Sequence, residues 1–398
     1  MPQGMVSPLN WLKSSRGGGS SRLSFHLRVS ETMLALVRHH MIGSLLMGPG
    51  GSEYVSLETA IALKKAGFEV YLDSLGVRTF DKLISLSEFY GLSYEEISDI
   101  GLGYPDEKID IVINTSGDVL SGRSQVVYLH YPSFLEVNTY YPAVKGFART
   151  LGNLYSLLNN LFFPFYIKYT RVFIANSSLT AWFFNKVYGV EPAIVYPPVN
   201  LDDIIGEEPL GYKDRDSRIL IISRFSPEKN LEKVVSIGKM VKERKLNMEI
   251  VIAGSFSERN GWYLKKIIDE IEANNLGDII TLRLNISRKD LVKLYRTSLL
   301  YVHLTPMEHF GISIVESMAA GTPTIIPKNS GAWIDIVDEN PEISLPYSNL
   351  NELLEHVVRI MNDEELWRKI SFNARLKSLS FSRYRYHEEI SNIVRKLI

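Results

Sequence analysis

RILIISRFSPEKNLEKVVSIGKMVKER, residues 218–244, reads as three consecutive parts. RILIIS (218–223) is an almost unbroken apolar run, the pattern of a strand buried on both faces of a parallel sheet. From position 231 the period changes, and Leu231, Val234, Val235, Gly238 and Val241 fall on one helical face. Between strand and helix stands SRFSPEKN (223–230), a loop with a proline turn and two cations, Arg224 and Lys229. Strand, loop and helix in that order are the repeating unit of an α/β fold.

The unit recurs in both directions. Strand-like runs precede it at 33–37, 68–72, 110–114, 125–129, 171–175 and 193–196, and follow it at 248–254, 279–284, 299–304 and 323–327. The pattern restarts near 218, after YPPVNLDDIIGEEPLGYKDRD (196–216), which is rich in Pro, Gly and acids and reads as a linker. The expectation is α/β, with two Rossmann-like, doubly wound parallel-sheet domains facing across a cleft. Residues 33–200 form the first, 201–217 the linker and 218–380 the second. Helical patterns at 363–380 and 382–397 have no strand after them, and the final segment, 381–398, could pack back on the first domain. Residues 1–32 hold seven Ser, a GGGSS run, four Lys or Arg and one acid. They read as a disordered or mis-assigned extension.

Composition narrows the chemistry. The 398 residues are 45% hydrophobic and 22% charged, with a net charge of −1. That gives no bulk electrostatic case for nucleic acid as a partner. With no cysteine, disulfides, thiolate zinc sites and a Cys nucleophile are excluded, and the eight histidines show no HExxH spacing. No stretch has 18 consecutive apolar residues. The 18 uncharged residues between Arg149 and Lys168 include three Asn, a Gly and a Pro, which suits an interface better than a span.

Three loops carry candidate chemistry. In SRFSPEKN, Arg224 and Lys229 at a strand's carboxyl end suit a diphosphate, Arg as a fork of donors and Lys as a point charge. A solvated loop is the plain alternative. In GPGGSE (48–53), Gly48, Gly50 and Gly51 permit close approach to a ligand before a helix opening at Ser52 or Glu53. A capped helix start explains the same residues. In TPMEHFGI (305–312), Glu308 beside Phe310 and Gly311 is placed to accept from polyol hydroxyls, while the amides of Gly311 and Ile312 suit a phosphate or sugar oxygen. Glu316 could reach a ribose diol, yet with Ser313 it also reads as an S-x-x-E capping box, with Gly321 ending the helix.

GPGGSE, SRFSPEKN, EHFGISIVESMAAGTPTII with its E-x7-E spacing and the glycine turn NSGAWIDIV (329–337), in this order along the chain, resemble the retaining glycosyltransferases of family 4. The resemblance covers roughly residues 33–397. It implies the GT-B fold and a nucleotide-sugar donor held mainly by the second domain. Carried over by position, it puts His130, Arg224, Lys229 and Glu308 at the reacting centre. It adds Gly50, Gly51, Ser223, Gly254, Phe310, Gly311, Ile312 and Glu316 around the donor, with no metal and no cofactor. LHYPSF (129–134), YYP (140–142), ANSSLTAWFF (175–184) and YPPVN (196–200) narrow the resemblance to the α-1,2-mannosyltransferases of the dolichol-linked oligosaccharide pathway. Those use GDP-mannose at the cytosolic membrane face, and this sequence departs from them in showing no N-terminal membrane anchor.

The implied reaction is metal-independent transfer of a hexose, with retention, to a lipid-linked or membrane-associated glycan. Two cations near the leaving phosphate would each contribute about 4 kcal/mol at ~4 Å and an effective dielectric near 20. No carboxylate is assigned as nucleophile, and the departing phosphate is expected to take the acceptor's proton. Residues 140–173, with ten Phe or Tyr, four cations and no acid, read as a membrane surface or as a helix buried on the first domain. The acidic pair Asp202–Asp203 reads as solvated linker. Alternatives are a UDP-sugar-dependent transferase on a polysaccharide or soluble acceptor, a sugar-nucleotide 2-epimerase and a silent scaffold.

Overall fold

A computed structural model describes residues 32–40, 49–140 and 144–398. The expected extension up to residue 31, Gly48, and Tyr141 and Pro142 of the YYP motif lie outside these.

In the first half the elements that frame the site and its sheet are β1 (Leu34–His39), α1 (Gly51–Lys65), β2 (Glu69–Ser74), β3 (Gly101–Leu102), β4 (Ile111–Asn114) and β5 (Val126–Leu129). Then come α2 (Gly146–Tyr166), β6 (Val172–Ala175), α3 (Ser178–Tyr188) and β7 (Ala193–Ile194). The second half runs β8 (Asp216–Ile222), α4 (Lys233–Glu243), β9 (Glu249–Gly254), β10 (Ile280–Leu284) and α5 (Arg288–Thr297). It continues with β11 (Ser298–Val302), α6 (Ile312–Ala319), β12 (Thr324–Pro327), β13 (Leu345–Tyr347), α7 (Glu364–Ser378) and α8 (Arg383–Arg395).

The strands form two wholly parallel sheets, ordered β3-β2-β1-β4-β5-β6-β7 and β10-β9-β8-β11-β12-β13. Continuous apolar runs become strands here because helices cover both faces. Every residue of β11 is buried. The order reverses at the first strand of each sheet, so switch points lie between β1 and β4 and between β8 and β11. Loops leaving the carboxyl ends of strands at a switch point diverge and open a crevice. In the second sheet those loops are the ones carrying Arg224 and Glu308.

The edge strands β3 and β13 have no counterpart in the sequence reading, being two and three residues long. The expected linker is firmly held. Leu201 and Ile204 are buried in the second domain's core, and β8 begins at Asp216. Its acidic pair is not merely solvated, since Asp203 binds Arg288 at 2.8 and 2.9 Å and Asp202 accepts from Tyr384 Oη at 2.7 Å. The last two helices separate. α7 packs on α6, while α8 lies on α1 and completes the first domain's core with Tyr386, Ile390 and Val394. There Arg383 joins Glu58 (3.0 Å) and Glu96 (2.7 Å), and Tyr386 Oη meets Thr59 Oγ1 at 2.6 Å.

Candidate active site

β8 ends, the chain turns, and Arg224 and Lys229 leave it on the cleft side. Across the switch point, β11 ends and the 305–311 loop brings back Glu308. Lys229 Nζ donates to Glu308 Oε2 at 2.8 Å. His303 Nε2 lies 3.1 Å from the same oxygen, and its Nδ1 meets Tyr301 Oη at 3.1 Å. Burial alone would raise the Glu308 carboxyl, but Lys229 and His303 outweigh it and hold it well below the usual carboxylate range. Glu308 is therefore ionised and acceptor-only at neutral pH. Because its folded pKa lies below the unfolded value of about 4.3, this pair stabilises the fold throughout the range above that value. The contribution fades only as the pH falls through the folded pKa.

The loop is propped from behind by the glycine turn. Gly331 N donates to Glu308 O at 2.7 Å, and a side chain at Gly331 would strike the carbonyl of His309. Phe310 stacks on Tyr196 and meets Phe381 edge-on, each at 5.6 Å. Its ring is nearly fully buried, and these stacking contacts position the loop. α6 then starts at Ile312, with Gly311 as N-cap at φ +102°.

The capping-box reading of Ser313 and Glu316 does not hold. Ser313 Oγ meets Tyr301 Oη at 2.9 Å, and Glu316 is drawn instead to Arg288 and to Tyr295 Oη, the latter at 2.9 Å. Gly311 can cap by backbone alone because its left-handed conformation needs no side chain. Both Glu316 oxygens carry one partner, leaving each a second lone pair for a ligand hydroxyl.

The first domain closes the site from above. Gly50, not Ser52 or Glu53, is the N-cap of α1, and Glu53 Oε2 accepts from its amide at 3.0 Å. A side chain at Gly50 would collide with the Arg224 guanidinium, and the nearest neighbour of one at Gly51 would be Ile312, so the two helix N-termini meet there. Ser255 Oγ reaches Pro49 O across the cleft at 3.3 Å. His130 sits at the end of β5 with Nε2 2.7 Å from the Thr115 carbonyl. A carbonyl only accepts, so Nε2 carries the proton and Nδ1 keeps a lone pair in the neutral ring. Burial, with His39 adding repulsion, pushes His130 down to about 3. Two more contacts tie the domains together. Ser178 N donates to Asp335 Oδ2 at 2.9 Å, and Thr180 Oγ1 lies 3.1 Å from His309 Nδ1.

All twelve candidate residues line one cavity of about 1330 Å³. Four buried polar atoms of its lining residues, Tyr54 Oη, Arg224 Nε, Asn260 Nδ2 and His309 Nε2, have no hydrogen-bond partner among the described residues. Orphaned polar atoms in a crevice mark a place where a polar ligand completes the bonding. Arg288, His303, His309 and Asp335 were not anticipated. Arg288 follows an ordinary helix cap, Ser287, and nothing in its spacing marks it.

Two expectations arise here. Gly254 sits at φ +154°, and a side chain there would enter the backbone of Ser223. Gly254→Ala will cost about 2–3 kcal/mol of stability in denaturant titration, by forcing apart the ends of β8 and β9. Secondly, burial lowers His309 to about 4 as well as His130. Unfolded, each would titrate near 6.5. Stability is therefore full above that value and falls with acidification by about 1.4 kcal/mol per pH unit and histidine. His130→Gln will flatten that slope between pH 6 and 4.

Residues 207–377 match the model of "Glycosyl transferases group 1". A protein of Caenorhabditis elegans named GDP-Man:Man(3)GlcNAc(2)-PP-Dol alpha-1,2-mannosyltransferase is 26% identical over 275 residues, 61% of this chain and 57% of that one. Its namesake in Dictyostelium discoideum is 26% identical over 314 residues, 70% and 60% of the two chains. This chain thus spans less than two thirds of the length of either relative. Among solved structures, Anabaena HepE in complex with UDP-glucose superposes with a TM-score of 0.68 at 16% identity, over 92% of this chain and 100% of that one. A glycosyltransferase from Rickettsia africae gives 0.64, also at 16%, over 92% and 98%. The chain has the two-domain GT-B fold, and residues 207–377 of it match the group 1 glycosyltransferase model.

Proposed function

We propose that this glycosyltransferase moves mannose from GDP-mannose to a lipid-linked glycan, with retention and without a metal ion, at the cytoplasmic face of a membrane. The observation that carries the reading is the meeting of Arg224, Lys229 and Glu308 at the β8/β11 switch point. The relatives' names support the sugar and the class of acceptor.

As the donor bond breaks, charge grows on the outer phosphate. Arg224, Lys229 and the first amides of α6 meet it, a task that elsewhere falls to a metal. Lys229 is already paired with Glu308, so its net contribution is smaller than the ~4 kcal/mol of an unpaired cation. Donor binding shares it between phosphate and carboxylate. Glu308, ionised, accepts from the sugar's hydroxyls and cannot act as an acid. His130, neutral, cannot either, and its Nδ1 is suited to accept from a hydroxyl. The departing phosphate is left as the base for the acceptor's proton, on the face it leaves.

The membrane assignment rests on the polarity of α2, which is inverted. Its three asparagines bond to the protein. Asn153 Oδ1 accepts from Val137 N (2.9 Å), Asn159 Oδ1 from Val119 N (3.0 Å), and Asn160 Nδ2 donates to Phe134 O (2.8 Å). Phe147, Leu154, Leu157, Leu161 and Phe165 are exposed. An exposed apolar stripe of this size, flanked by Lys145, Arg149 and Lys168, fits an anionic lipid surface. Among the described residues no helix is long and apolar enough to cross a membrane.

The test is transfer itself. Purified protein, GDP-mannose and a lipid-linked chitobiose-core acceptor should give an α-linked mannose product in the presence of a chelator. A β-linked product, a need for added metal, or activity with UDP-glucose and not GDP-mannose would each overturn the corresponding part.

A further inference from the structure

α2 has a third stripe that neither docking on the protein nor contact with a membrane plane explains. Counting around the helix, Ala148, Leu151 and Leu158 fall on one face, between the buried asparagines and the outward leucines. That face lines the cavity that holds Lys229 and Glu308, together with Val144 and Lys145 at the helix start. The site's cavity is thus polar at the β8/β11 switch point and apolar along α2. A nucleotide-sugar presents phosphates, hydroxyls and a base, and offers nothing to an aliphatic wall about three helical turns long.

We infer that this wall is the binding site for the first isoprene units of the acceptor's lipid, with Lys145 beside its diphosphate. The inference rests on the lipid-linked acceptor proposed above and gives that lipid a place. The wall adjoins the outward stripe through Leu154, which is both exposed and cavity-lining. A chain leaving the membrane beside Leu157 and Leu161 can therefore run along α2 without crossing water, and it delivers its head group toward Glu308. An isoprenyl diphosphate fits both parts of the surface, hydrocarbon on leucine and anion on lysine. A phospholipid shares the hydrocarbon and would lie there without reaching the cleft.

Calorimetric titration tests this, with farnesyl diphosphate below its micellar concentration against inorganic diphosphate. The farnesyl chain should tighten binding about tenfold or more. Leu151→Asn with Leu158→Asn should narrow the farnesyl-to-diphosphate ratio toward one, and Leu151→Met with Leu158→Met should restore it. Equal affinity for the two ligands, an unchanged ratio in the Asn variant, or equally tight binding of a lysophospholipid of matched length would overturn the inference. Transfer is scored separately. Mannosyl transfer without farnesyl discrimination would sink the groove and keep the activity, and discrimination without transfer would do the reverse.

Discussion

Lys229→Met will lower kcat/KM for the nucleotide-sugar by about 10²–10³-fold, the usual loss when one preorganised donor to a developing charge is removed. The same change will bring an acid limb into the pH–rate profile. Lys229 is the strongest influence holding the Glu308 carboxyl down, and burial opposes it. Without the ammonium that carboxyl rises, and it protonates at a pH where the parent enzyme keeps it charged. Lys229→Met with Glu308→Gln will cost much less than the sum of the two single losses, because each single change leaves the other partner uncompensated in a largely buried place. Steady-state kinetics from pH 4.5 to 8 measures both effects. Additive losses, or a profile unchanged in shape, would mean that the 2.8 Å pair has no part in the reaction.

The second large effect belongs to the membrane. Converting Leu157, Leu161 and Phe165 together to Ser will reduce binding to anionic vesicles by about 10³-fold, since each buried side chain of this size is worth about 1.5–3 kcal/mol. The fold should survive, because these residues are exposed and the helix is held by Asn153, Asn159, Asn160 and Phe163. Transfer to a lipid-free glycan should persist. Flotation of the triple variant with liposomes as efficiently as the parent would remove α2 from the membrane.

Much of this was legible in the sequence, for identifiable reasons. Doubly covered strands write themselves as apolar runs, so all the longer strands could be read from RILIIS and its counterparts. β3 and β13 could not, being too short to leave a period. Arg224, Lys229 and Glu308 were found because loop position at strand ends follows from the alternation, and the switch-point order then brings those loops together. Glu316 shows the limit. Its spacing from Ser313 fits a cap perfectly well, but a half-buried Arg288 and a buried Tyr295 take its oxygens from the backbone, and long-range partners leave no local pattern. Asp203 was lost for the same reason, its partner lying 85 positions away. The inverted polarity of α2 was half visible. Its aromatics and cations suggested an interface, but only the fold shows that its asparagines face inward.

A crystal structure with GDP-mannose, or whichever nucleotide-sugar most raises the melting temperature, tests the central claim most directly. The outer phosphate should lie within about 2.7–3.2 Å of both Arg224 and Lys229, with Glu308 bonded to hydroxyls of the sugar. A diphosphate bound clear of both cations, with the Lys229–Glu308 pair undisturbed and the sugar elsewhere, would contradict it.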